Sequence, residues 1–233
     1  MLLARGAQYA PRVAGTRAEI PLFPLDGVVL FPKTRAPLHI FEPRYRQMME
    51  DALAGARSLG MIAVLPEHRS ELAGNPPLFE VGCAGFIEVF ERLADGRFNL
   101  LLHGTQRFRI LREREPEAGR LYRVAEVELL AEVAPRASDE AALRALRESA
   151  LAALQELLAR AGSRREDLSA ERLASLDDEA FTATLCQILA LPSEEKQSLL
   201  QAEGALSRLG TLEGVLQFHL ARLRLPGASE ALH

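Results

Sequence analysis

Residues 81–113 read VGCAGFIEVFERLADGRFNLLLHGTQRFRILRE, and their period fixes the fold class. Ile87 and Val89 alternate with Phe86, Glu88 and Phe90, which is the two-residue period of a strand. Asp95-Gly96 supplies a hairpin turn, and the chain returns through RFNLLLHG. Beyond Gly104, Phe108 and Ile110 alternate with Arg107, Arg109 and Leu111, so the strand pattern resumes. Gly82 and Gly85 inside a strand mark a bulge or a close backbone approach.

Outward on the N-terminal side, IPLFPLDGVVLFP (residues 20–32) is punctuated by Pro21, Pro24 and Pro32. Proline pulls the residue before it toward extended geometry, which predicts strand, turn at Asp26-Gly27, strand. A further short strand follows Pro37, with Leu38 and Ile40 on one face and His39 and Phe41 on the other. The period then changes. Pro43 suits a first helical position, and Tyr45, Met48, Met49, Ala52 and Leu53 form one apolar stripe ending near Gly55. LGMIAVLP (residues 59–66) is an apolar run of strand length, and LYRVAEVELL (residues 121–130) reads as a last strand. Short strands joined by Gly and Pro turns predict a small, mostly antiparallel barrel or curled sheet.

After Pro135 the composition turns to Ala, Leu, Glu and Arg. Ser138 is placed to cap a helix through Ala161 with Leu143, Leu146, Ala150, Leu154, Leu157 and Leu158 inward. A short helix around Ser169 to Leu176 is expected next, then one opened by Asp177 and Asp178 whose stripe is Phe181, Leu185, Ile188 and Leu189. Pro192-Ser193 restarts the chain, and from Thr211 the stripe is Leu212, Val215, Leu216, Leu220 and Leu223. The fold class is therefore α+β: a tail over residues 1–18, a β-rich lobe over 19–135, a helical bundle over 136–225 and a second tail over 226–233.

The 233 residues carry 28 Lys plus Arg against 32 Asp plus Glu, with 48% apolar residues. That composition excludes disordered and collagen-like classes. Twenty-six of the basic residues are Arg, and neither Lys33 nor Lys196 follows a Gly, so no GxxxxGK[ST] phosphate loop is present. No run of roughly 18 apolar residues exists and the N-terminus lacks an apolar signal core, so a cytoplasmic protein without a membrane span is expected. An organellar presequence in residues 1–18 is the weaker alternative, since Ser is absent there and Pro11 interrupts a helix. Cys83 and Cys186 are expected to be buried small residues rather than half of a bridge framework.

The segments IPLFPLDGVVLFP (20–32), LHIFEPRYRQMMEDAL (38–53), GMIAVLPE (60–67), residues 81–113 and LCQILALPSEEKQSLLQ (185–201) together resemble the N-terminal substrate-recognition domain of the ATP-dependent Lon protease. HIFEPRYR and GTQRFRI make the likeness specific, and it is nearest to stand-alone bacterial proteins of that domain alone. The resemblance implies a PUA-like pseudo-barrel followed by a helical bundle. It also implies recognition of unfolded polypeptide or a partner protein without cleavage, because the ATPase and Ser-Lys peptidase of Lon find no room before His233.

Phe41, Arg44 and Tyr45 could rim a groove for an unfolded segment, although Glu42 as helix cap and Tyr45 as core is the plainer reading. Arg107, Phe108 and Arg109 are a second candidate contact; a solvated, ion-paired strand face competes with it. RNA binding is the alternative function, because PUA folds elsewhere bind RNA and residues 97–123 hold seven Arg against three Glu. Interleaved Glu113, Glu115 and Glu117, and no aromatic stacking series, argue against it, so nucleic acid is not expected. Ser193 and Lys196 have SxxK spacing, but SDN and KTG are missing and Ser193 reads better as a cap. No catalytic residue, metal site or cofactor is expected: His39, His68, His103, His219 and His233 share no ligand spacing. Self-association is compatible with the pattern.

Overall fold

The computed structural model describes residues 13–115, 117–160, 172–173 and 175–224. The chain divides into two compact units, Met1–Ala131 with Gln187–Leu200, and Glu132–Cys186 with Gln201–His233. The first unit's opening segment ends at Ala131, where a boundary at 135 was expected. The return of 187–200 to the first unit was not visible from composition. Of the expected tails, residues 1–12 and 226–233 lie outside the described residues; Arg17 and Ala18 already belong to a strand.

The first unit is built on a six-stranded sheet. Its strands are β1 (Arg17–Leu25), β2 (Arg35–Ile40), β3 (Ser58–Ala63), β4 (Val81–Arg92), β5 (Phe98–Glu113) and β6 (Val124–Leu129), with helix α1 (Pro43–Ala54) between β2 and β3. The order is β2-β5-β4-β3-β1-β6, and β5 also pairs with β6. That last pairing closes β1, β3, β4, β5 and β6 into a barrel, leaving β2 as an added strand. Only β1 and β3 run parallel, which requires the long crossover through β2 and α1. The sixteen residues of β5 serve two neighbours on one side: 98–103 carry β2 and 108–113 carry β6. Ile20, Leu22, Ile62, Ala84, Phe108, Ala125, Val127 and Leu129 fill the barrel.

Two glycines carry the close approaches expected of them. A β-carbon at Gly82 would stand 2.5 Å from Phe108 Cζ and 2.6 Å from the Met61 carbonyl oxygen. The ladder shifts register between Ala84 and Gly85, a bulge. The Asp95-Gly96 turn is present, with Gly96 at φ 79°.

The segment after the Gly27 turn departs from expectation. Val29, Leu30 and Phe31 are buried in succession and belong to no strand. No ladder answers the main chain of this segment, so it takes its partners elsewhere. Phe31 donates its amide to Gln187 Oε1 at 3.1 Å, and the Thr34 hydroxyl lies 2.7 Å from the Phe31 carbonyl oxygen. Gly104 permits this, because a β-carbon there would collide with that same Phe31 carbonyl.

The remaining helices among the described residues are α2 (Glu140–Arg160), α3 (Asp178–Ile188), α4 (Ser193–Gln201) and α5 (Gly204–Arg224). In the second unit α2 packs on α5, and Ser149 donates to Glu213 at 2.8 Å. Ser138 does not cap α2. Its hydroxyl bonds Asp139 at 3.2 Å inside a short 3-10 turn over Ala137–Asp139, which Asp139 closes by accepting the Arg136 amide at 2.8 Å. Asp177 does cap α3, accepting the Ala180 amide at 2.7 Å. The last helix begins at Gly204, before the expected Thr211, with Gly204 itself at φ 77°, outside right-handed helical geometry. Of the short helix expected at 169–176, residues 169–171 and 174 lie outside the described residues.

Candidate functional site

The corner between β2 and α1 holds the first candidate group. Glu42 is extended at φ −67° and ψ 137°, Pro43 opens the helix, and the Tyr45 and Arg46 amides close onto the Glu42 carbonyl at 3.0 and 2.9 Å. The Glu42 carboxylate makes no cap bond. It accepts from Arg44 Nε at 2.9 Å instead, since an adjacent guanidinium offers a charge-assisted bond that the helix amides do not. Arg44 continues to the Leu72 carbonyl at 2.7 Å and the Gly74 carbonyl at 3.0 Å, and lies 4.5 Å over the Tyr45 ring. It braces the loop after the 3-10 turn Pro66–Glu71.

Tyr45 is core. Its ring meets Phe23 edge-on at 4.6 Å, and burial raises its hydroxyl pKa above the usual value. Phe41 alone of the three presents itself, 59% exposed and stacked on His39 at 6.1 Å. The groove rim expected from Phe41, Arg44 and Tyr45 therefore reduces to Phe41 standing on a corner that the other two stiffen.

The second group separates. Arg107 is 1% exposed and donates to the Leu200 and Ala131 carbonyls, each at 3.1 Å; Phe108 is barrel core; Arg109 is exposed. Arg107 is thus not on a solvated face, because α4 supplies its partner. Beyond it the arginines are paired: Arg112 with Glu126 at 2.7 Å, Arg123 with Glu113, Arg114 with Glu19, and Arg120 with Glu117 at 2.8 Å.

The SxxK residues do not meet. Ser193 Oγ accepts from Arg69 at 2.5 Å, whereas Lys196 Nζ donates to the Gln187 carbonyl at 3.0 Å. A Ser-Lys nucleophile would need those two side chains bonded to each other. Among the described residues no group of three or more His, Cys, Asp or Glu could hold a metal, and no helix is long and apolar enough to cross a membrane.

One arrangement has no signature in the sequence. The outer row of β2 and β5 joins His39 Nδ1 to Asn99 Oδ1 at 2.7 Å, with Arg97 reaching His39 Nε2 at 3.4 Å. Next along, Pro37 stands opposite Leu101, and Leu101 opposite Val89. Alternation alone placed His39 outward but could not name its neighbours. Elsewhere Tyr122 donates to Asp51 at 2.8 Å beside Glu19 and Ser58. Burial, then that bond, pushes its hydroxyl up to about 12.

These elements define an α+β domain of the PUA-like pseudo-barrel class, with helices following the barrel. Residues 19–217 match the ATP-dependent protease La (LON) substrate-binding domain, and the chain belongs to that family. It is 28% identical over 197 residues to Lon protease 2 of Desulfotalea psychrophila, covering 84% of this chain and 24% of that one. The chain thus spans about a quarter of the length of such curated relatives. The Lon N-terminal domain protein from Xanthomonas campestris is 26% identical with a TM-score of 0.57, covering 84% of this chain and 98% of that one. The N-terminal domain of Mycobacterium avium complex Lon protease shares the fold at 19% identity and a TM-score of 0.65, covering 87% of this chain and all of that one.

Proposed function

We propose that the protein binds exposed apolar or unfolded polypeptide segments, or a partner protein bearing one, and does not itself cleave them. Membership of a substrate-binding family supports polypeptide as the class of ligand. Phe41 carries the reading: a large ring left in water at a stiff corner gains about 1.5–3 kcal/mol when another chain covers it. Arg44 and Glu42 hold the backbone there, so little ordering remains to oppose binding. The separated Ser193 and Lys196 support holding over cutting.

Phe41→Ser should weaken binding of a reduced, unfolded client by roughly tenfold in fluorescence anisotropy, with the folded chain's circular dichroism unchanged. Full affinity in that variant would refute the corner as the contact. RNA has less support than polypeptide: Arg112, Arg114, Arg120 and Arg123 each pair with a carboxylate, so binding at about 0.1 M salt should be negligible.

A further inference from the structure

We propose that β2 receives the bound polypeptide as an additional strand. The inference rests on the polypeptide-recognition reading above and names its mode. β2 ends the sheet, pairing with β5 alone. Gly104 donates its amide to the Thr34 carbonyl at 2.8 Å, so Thr34 turns its main chain toward β5. With a period of two, Ala36, Leu38 and Ile40 do the same. The main-chain groups of Arg35, Pro37 and His39 therefore point away from β5. By that alternation the Arg35 and His39 amides stand outside the β5 ladder, and among the described residues no loop or turn carbonyl accepts them.

That edge takes an extended strand by its N–H and C=O groups whatever the side chains, which suits a receptor for unfolded chains. Preference comes from the outer face. An incoming residue opposite Pro37 extends the row Pro37, Leu101, Val89, and one near His39 meets the His39 and Phe41 rings. The favoured segment is apolar or aromatic at alternate positions.

Pro37 also decides against a second copy of this chain. Two β2 edges paired antiparallel about their middle would set Pro37 against Pro37, where neither donates, and shifting the centre to Arg35 sets like charges opposite each other. A foreign strand loses only one donor.

The test uses a short, capped, labelled peptide of alternating Val and Thr, with two versions N-methylated at the Val amides or at the Thr amides. One methylated phase should bind the intact protein as the parent does, and the other should lose at least about tenfold. His39→Pro, which removes an outward amide that stands outside the β5 ladder, should weaken the parent peptide by about fivefold. Equal binding of both methylated peptides at parental affinity, with His39→Pro unchanged, would overturn strand addition and leave polypeptide recognition standing. No binding of any peptide or unfolded client would overturn both. Concentration-dependent self-association in sedimentation that His39→Pro abolishes would replace the foreign strand with a second copy.

Discussion

A guanidinium can be spent in the interior as readily as at the surface, and Arg107 is the case in point. The Leu200 and Ala131 carbonyls lose this donor in Arg107→Leu, so urea unfolding should show a loss of about 2–4 kcal/mol. A change within about 0.5 kcal/mol would mean those carbonyls find other donors. Gly82→Ala forces a methyl against the Phe108 ring and the Met61 backbone; the barrel should lose about 1–3 kcal/mol, read the same way. His103 gives a pH dependence. Its Nδ1 is buried without a partner. Burial first, then Arg35, hold its pKa below 6.5, with Glu88 opposing. The unfolded chain binds a proton that the fold resists, so this contribution is complete above pH 6.5 and falls away as pH drops below it. The melting temperature should fall between about pH 7.5 and pH 5.5, and less so in His103→Gln. An identical fall in both proteins would exonerate the imidazole. Residue types at these positions were legible, but their roles were not: one exposed-looking Arg on a strand is the same letter whether or not a helix arrives to cap it.

At the scale of elements, periodicity and punctuation placed β1, α1, β3, the β4–β5 hairpin and β6, because each satisfies its own pattern locally. It misread Val28–Pro32 as a strand, since an apolar run bounded by Pro looks the same whether a ladder or a distant side chain answers its amides. Here the answer is Gln187, whose Oε1 takes the Phe31 amide and lies 3.0 Å from the Thr34 hydroxyl. Gln187→Leu strands that amide and should lower stability by about 1–3 kcal/mol, whereas Gln187→Glu keeps an acceptor and should lose less. Equal losses would assign the site to packing alone.

For the whole molecule, the informative element is α4. Gln197 donates to the Val81 carbonyl at 2.8 Å, Arg107 reaches the Leu200 carbonyl, and Arg69 bonds both Ser193 and Glu194. These bonds tie residues 187–200 to a unit completed over fifty residues earlier. Native-state hydrogen exchange should therefore find α4 amides opening with β4 and β5, not with α2 and α5. Exchange of α4 together with α5 would mean the chain divides near residue 135 after all.

The sequence by itself determined the class of fold and the family, because alternation, proline punctuation and helical stripes are local properties written residue by residue. It also placed an aromatic at the β2–α1 corner. Only the tertiary structure decided which polar groups remain free to act. Burial and partnership depend on chain brought back from far away: Leu200 takes Arg107 out of solvent, and the end of the sheet order leaves β2 with an unpaired edge.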